Sequence, residues 1–376
     1  MNLISATASQ PARQLRAEPS LPQTLAIVSA SYLVFFLVLR CISGSFSLVG
    51  GAAGDNPAYK EAAAAIHHWQ FSGVVVKQFW GLPYAIAAVC IPTGMSERAG
   101  LVLICIISSL VAVALCHRMW GGWIALFFAL LNFEWFQRSL LGGAEPLFMA
   151  MILACFMALR YARPARSALF GALGTVVRPF GIFALTGLGL ELLWKKKYRD
   201  CAWAIAIGLA VGFAYAWPLA RYLGSPFANV ALYQQNDWHR GAPFTIPFLG
   251  ILRDTFPLNA PITSLLLTWG WILFVLLGLI VAIVTKQLIS YGLKYPSEVC
   301  FYLLYCTAVY TYNSPGWSRG DFPRFVIPVV PWTLVFLRPY LPTRRWVVAA
   351  LTVVTPALAA ASAVGIRNVT GMLLTH

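Results

Sequence analysis

LAIVSASYLVFFLVLRCISGSFSLVGGAAGDNPAY, residues 25–59, joins a membrane span to the acid that follows it. A span needs about 20 predominantly apolar residues to cross about 30 Å of hydrocarbon. Residues 25–48 meet that requirement with Arg40 as their sole charge. The run ends in a Gly-rich turn, Gly50-Gly51-Ala52-Ala53-Gly54, and Asp55-Asn56-Pro57-Ala58-Tyr59 follows directly. A carboxylate just outside the bilayer, on the first loop of an acid-poor chain, is a candidate general base.

The rest of the chain repeats the pattern. It is 60% hydrophobic and 10% charged over 376 residues, where soluble domains carry roughly 25% charge. Long apolar runs recur at 99–116, 201–220, 262–285 and 346–366, with shorter ones at 122–136, 146–159, 299–312 and 325–337. This is the composition of an all-α polytopic membrane protein.

Basic residues set the expected orientation through the positive-inside rule. With residues 1–24 as a disordered cytoplasmic tail, fifteen of the 27 Lys and Arg fall on the inner face, among them Arg160, Arg163, Arg166, Lys195, Lys196, Lys197 and Arg199. The outer face then takes eleven basic residues and eight of the 12 acids. The formal charge of +15 is thus an inner-face excess and calls for no nucleic-acid partner. Residues 167–194 have basic flanks on both sides and are interrupted by Arg178-Pro179. Proline there breaks the helix, which predicts two half-helices forming a hairpin with Arg178 at its tip. Irregular backbone at depth must line a cavity or be buried in protein, so Arg178 is expected to face a site.

Counting half-helices separately, this gives about eleven membrane helices in one domain, residues 25–366, with 367–376 as an outer tail. Two outer loops interrupt it. Residues 49–98 contain a helical stretch at 57–69 and an interfacial segment at 83–91. Residues 224–261 are rich in Pro and aromatics, and Asp237 lies in their middle. No internal repeat of the kind found in many transporters is visible, and residues 1–20 do not read as a cleavable signal. The eight cysteines lack any CxxC pairing and read as small core hydrophobes. His67-His68 is the one histidine pair, and neighbours on a helix are expected to diverge rather than chelate, so no metal ligands are assigned. No P-loop, HExxH or GxGxxG occurs, which argues against nucleotide hydrolysis, zinc peptidase and Rossmann chemistry.

Five pieces, taken in order, resemble the GT-C superfamily of membrane glycosyltransferases. They are Gly54-Asp55-Asn56-Pro57-Ala58-Tyr59 after the first span, Trp80-Gly81-Leu82-Pro83-Tyr84 closing the loop, and Gly142-Gly143-Ala144-Glu145-Pro146-Leu147-Phe148 opening a span. Val177-Arg178-Pro179-Phe180-Gly181 and Pro323-Arg324-Phe325-Val326-Ile327-Pro328 complete the set. The likeness is greatest to the bacterial branches with aminoarabinose and protein mannosyl transferases. It implies a GT-C-like bundle in the bacterial inner membrane with its site facing the periplasm. It also implies a polyprenyl-phosphate-linked sugar donor and a lipid, glycan or protein acceptor. This chain lacks a second acid beside Asp55, which leaves a divalent cation as an open element of the site.

Glycosyl transfer needs a base for the acceptor proton and stabilisation of the departing phosphate. Asp55 is the candidate base, with Tyr59 one turn away on the same face. The competing account makes Asp55 a cap for the helix beginning at Pro57. Arg178 and Arg324 are candidates for the carrier phosphate, since guanidinium matches phosphate oxygens in fork geometry; Arg319 and Arg40 follow. Arg324 also reads as an ordinary interfacial anchor. Glu145, a second catalytic candidate, equally suits a helix N-terminus, and Glu134 and Asp237 are further candidate acids between which the sequence does not select. Trp69, Phe71, Phe79, Trp80 and Tyr84 are expected in an aromatic belt. A lipid or small-molecule transporter or flippase, which also carries intramembrane arginines, is the alternative function.

Overall fold

The computed structural model describes residues 18–51, 54–71, 74, 78–229, 244–255, 262–312 and 322–373. Among these, regular structure is helical throughout. The one extended pairing is an isolated bridge between Phe244 and Tyr312.

The first half of the chain gives α1 (Leu21–Ser43), α2 (Asn56–His68), α3 (Gly81–Thr93), α4 (Glu97–Trp120), α5 (Gly122–Leu131), α6 (Phe133–Leu140) and α7 (Glu145–Arg160). The second gives α8 (Pro164–Val177), α9 (Ile182–Trp194), α10 (Tyr198–Leu223), α11 (Leu249–Thr255), α12 (Ile262–Val284) and α13 (Gln287–Lys294). It ends with α14 (Pro296–Thr311), α15 (Phe322–Phe325), α16 (Val330–Phe336) and α17 (Arg345–Leu373). Local chemistry sets several of these boundaries. Ser20 and Gln23 form a capping box at the start of α1, and Gly44 ends it in the left-handed conformation. The Ser96 hydroxyl accepts from the Ala99 amide at the start of α4; each such cap is worth about 1 kcal/mol.

Four helices, α1, α4, α10 and α17 (over Arg345–Gly365), are long and apolar enough to cross a membrane. Two sharply bent pairs raise the number to six: α6 with α7, bent by 103°, and Thr268–Val284 of α12 with α13, bent by 83°. These four to six candidate spans among the described residues are whole crossings, whereas the expected eleven membrane helices took half-helices and short segments separately. The shorter apolar runs are cut before they reach spanning length: Asn132 adopts an extended conformation between α5 and α6, and Pro328 and Pro331 break the run 325–337 into α15, a 3-10 turn and α16.

The break expected at Arg178 is present. Arg178 has φ −146° and ψ 132°, extended as the residue before a proline prefers, and it separates α8 from α9. The two half-helices pack antiparallel. Gly171 lies against Leu185, while Ala168 shares a buried cluster with Leu188, Leu192 and Cys201.

Polar groups gather at the two ends of the bundle. Helix α7 carries Glu145 at one end and Arg160 at the other, roughly 22 Å apart at 1.5 Å per residue. At the Arg160 end the guanidinium grips Glu298 with two nitrogens, at 2.7 and 2.9 Å. The same Glu298 carboxylate accepts from the Tyr291 hydroxyl at 2.6 Å and from the Trp332 indole at 3.0 Å. Nearby, Glu191 accepts from Lys195 and from the backbone N–H of Ser297. Between the ends the helices pack through aromatic and aliphatic side chains around Phe148, Phe156, Phe301 and Trp332. Five of the eight cysteines are buried there and Cys201 in the α8–α9 cluster; Cys41 is exposed and Cys300 half-buried.

Candidate functional site

The Glu145 end of the bundle brings together residues from four distant segments. Arg324 Nη2 donates to Asp55 Oδ2 at 2.9 Å, and Arg324 Nε donates to Glu145 Oε1. Arg178 Nη2 donates to the same Glu145 oxygen at 2.7 Å. Gln78 Nε2 donates to Asp55 Oδ1 at 3.2 Å. The centre is therefore a chain of alternating charge, Asp55, Arg324, Glu145, Arg178.

Each member has a local reason for its place. Asp55 sits at the N-cap position of α2 but has αR backbone, and its side chain makes no capping bond. A capping residue needs extended backbone to reach the N2 or N3 amide, so the carboxylate is left for Arg324, and the account of Asp55 as a helix cap is corrected. Asn56, fully buried, donates from Nδ2 to the Leu141 carbonyl at 2.8 Å. That bond ties the start of α2 to the turn preceding α7. Gly142 in that turn has φ +120°, and a Cβ there would come within 2.8 Å of the Asn56 side chain. Only glycine meets both conditions. On the Arg324 side, Asn132 holds two segments: its side-chain oxygen accepts from the Glu134 amide, and Nδ2 donates to the Pro323 carbonyl at 2.8 Å. Arg178 is aimed by its extended backbone, and both arginines lie near the ring of Phe325, at 5.2 and 5.5 Å.

The electrostatics are nearly closed. Glu145 has no solvent exposure and Arg324 is 6% exposed. An ion so buried persists only when paired. Three acids here, Asp55, Glu134 and Glu145, face three cations, Arg138, Arg178 and Arg324, with Arg138 paired to Glu134 at 2.9 Å. Burial of Asp55 opposes its ionisation, but the charge and hydrogen bond of Arg324, with Arg138 behind it, outweigh burial and hold the carboxyl below the usual range. Tyr59 is buried beneath Asp55. Burial first, then the Asp55 charge, pushes its phenol well above its ordinary value, so it stays protonated.

Asp55, Glu145, Arg178 and Arg324 thus share one cluster, with Tyr59 against it. Among the described residues Arg40 makes no ion pair; it is exposed in the last turn of α1. Arg319 and Asp237 lie outside the described residues, as does most of the loop 224–261. Gln78, Arg138, Asn56 and Asn132 belong to the site's framework and were not singled out from sequence. Asn132, a polar residue inside an apolar run, carried the one signal that could have found it.

The loop aromatics divide. Trp69 is exposed, as a belt residue is. Phe71 and Trp80 are buried, stacked with ring centres 6.0 Å apart, and form a small core with Ala62, Ile66 and Leu219. Their packing joins α2 and α3 to the end of α10. Next to the arginine cluster an apolar cavity of about 420 Å³ opens between α3, α7, α8 and α10, lined by Tyr84, Leu147, Met151, Val176, Val177 and Tyr215. It begins one residue from Arg178 and two from Glu145.

The histidine pair departs from expectation. The rings of His67 and His68, at the end of α2, stack 4.4 Å apart and 16° from parallel. His67 Nδ1 lies 3.0 Å from Glu97 Oε1.

Comparison of the chain with protein-family models, with curated proteins and with solved structures found no match.

Proposed function

We propose that the protein is an integral membrane glycosyltransferase of the GT-C type, moving a sugar from a polyprenyl-phosphate carrier to an acceptor on the outer face of the membrane. The observation that carries this reading is the meeting of one partly exposed carboxylate, Asp55, with two arginines beside an apolar cavity. A phosphate with a long hydrocarbon tail needs both: cationic forks for the headgroup and an apolar groove for the chain. In this reading the Arg160 end, with its basic excess, faces the cytoplasm and the Asp55 end the opposite side; the resemblance to bacterial GT-C branches is what suggests the bacterial inner membrane, with the site toward the periplasm.

In this mechanism the acceptor hydroxyl oxygen attacks the anomeric carbon and its proton passes to Asp55. The bond from that carbon to the carrier phosphate breaks, and its electron pair stays on the phosphate oxygen. Arg324 and Arg178 meet the charge that grows there. Glu145 touches no reacting atom in this scheme: buried and shared by both guanidinium groups, it positions them, a change from its candidacy as a catalytic acid. Arg324 has a second role. While it holds Asp55 it weakens the base; when the donor phosphate draws the guanidinium away, Asp55 becomes the stronger acceptor of a proton. Donor binding and base activation are then one event.

The test is transfer by purified protein supplied with polyprenyl-phosphate sugars and candidate lipid, glycan and peptide acceptors. Asp55→Asn should keep donor binding and lower turnover by about 10²–10⁴-fold, the range of a general base. Retained turnover would remove Asp55 from the chemistry.

A further inference from the structure

We propose that His67, His68 and Glu97 form a binding site for one divalent transition-metal ion, zinc in the first instance, which clips the end of α2 to the start of α4. One ligand atom from each of the three lies within 4.8 Å of the other two. The two histidines are the last residues of α2, and Glu97 is the first residue of α4, fixed there by the Ser96 cap. Zinc bonds of about 2.0–2.2 Å set ligand atoms about 3–4 Å apart. His67 Nδ1 and Glu97 Oε1, at 3.0 Å, have that spacing already, and rotation of an imidazole closes the wider gap. Two imidazole nitrogens and one carboxylate oxygen suit zinc, nickel or copper, whereas magnesium and calcium take oxygen ligands.

The stacked rings add a reason of their own. At 4.4 Å apart they set two imidazole donors side by side at one helix end, where a single metal ion can engage both. His68 is exposed and the other two half-buried, so an ion reaches the site from solvent and keeps water in its remaining positions. The site is separate from the Asp55 centre. Asp55 and His67 stand at opposite ends of α2, roughly 18 Å apart at 1.5 Å per residue, so the ion takes no part in proton transfer. Its effect is on placement. The start of α2 is held by Asn56 and Asp55, and a metal at its far end would fix the whole helix against α4.

The competing account is a plain hydrogen bond between His67 and Glu97, with His68 stacked beside it. Tag-free protein carrying Cys41→Ser, which removes the exposed thiol, is stripped with chelator, dialysed against zinc and analysed for bound metal and for thermal unfolding. About one zinc per chain is expected, undisturbed by excess magnesium or calcium, with a zinc-dependent rise in unfolding temperature. His68→Gln should leave the metal-free unfolding temperature unchanged, since the side chain is exposed, and weaken zinc binding at least about tenfold, or 1.4 kcal/mol. Glu97→Gln should weaken zinc binding by a similar factor. Absence of bound zinc, or equal binding by parent and His68→Gln, would overturn the proposal, and His68→Gln decides the matter alone if Glu97→Gln fails to fold.

Discussion

Arg324 holds Asp55 and Glu145 with different nitrogens, Nη2 at 2.9 Å from Asp55 Oδ2 and Nε on Glu145 Oε1. One guanidinium thus links a half-exposed carboxylate to a fully buried one. Lysine carries the charge but lacks the fixed fork. Arg324→Lys should retain one of the two contacts, fold, and bind donor phosphate more weakly than the parent. Arg324→Ala should lose donor binding as well as turnover. Equal donor affinity in Arg324→Ala and parent, read by direct binding of a polyprenyl-phosphate sugar, would take this arginine out of phosphate recognition.

Glu145 compensates two buried arginines at once. Glu145→Gln removes a charge on which Arg178 and Arg324 both depend, and breaking a buried pair costs about 3–5 kcal/mol. The variant should therefore unfold at lower temperature in detergent, with its residual activity lost through misplacement of both arginines. Full thermal stability in Glu145→Gln would mean that the guanidinium groups find other partners, and the positioning role would fall.

These four ionisable residues were legible in the sequence because charge in an apolar chain is costly and therefore conspicuous. What was hidden was their pairing. Asp55 ahead of Pro57 looked like a cap, and only its αR backbone shows that the carboxylate cannot reach the helix amides. Arg178-Pro179 announced a broken helix, since proline restricts the residue before it. Span number was less readable, because 122–136 and 325–337 count as apolar runs by composition while Asn132 and two prolines, Pro328 and Pro331, divide them into pieces. Asn56 and Gly142 stand in two of the motif pieces, but the sequence did not show their roles, which exist only across the contact between α2 and the turn before α7.

The pH dependence of folding follows from the direction of the Asp55 shift. Its folded pKa lies below the ordinary aspartate value, so the stabilisation it contributes is fully present above the unfolded carboxyl value of about 3.9 and is lost as pH falls through the lower, folded value. Stability from this pair should be flat between pH 5 and 8 and decline only below about pH 4. Asp55→Asn should blunt that acid-side decline. The check is unfolding temperature against pH for both proteins; an equally steep acid limb in the variant would assign the decline to other carboxylates.

Asn56 and Gly142 make predictions of different size for one contact. Asn56→Ala removes a donor to the Leu141 carbonyl, but the Gly50 amide still serves that oxygen at 2.8 Å. Its cost should be about 1 kcal/mol, the net worth of one hydrogen bond. Gly142→Ala forces a side chain into φ +120° and to within 2.8 Å of Asn56, and it should cost more than Asn56→Ala. The double variant sharpens the comparison. If the clash with Asn56 dominates, adding Asn56→Ala should restore part of the stability lost in Gly142→Ala; if the backbone conformation dominates, the two losses should add. A Gly142→Ala protein as stable as the parent would mean that the turn relaxes freely, and that the start of α2, with Asp55 on it, is not fixed by this contact.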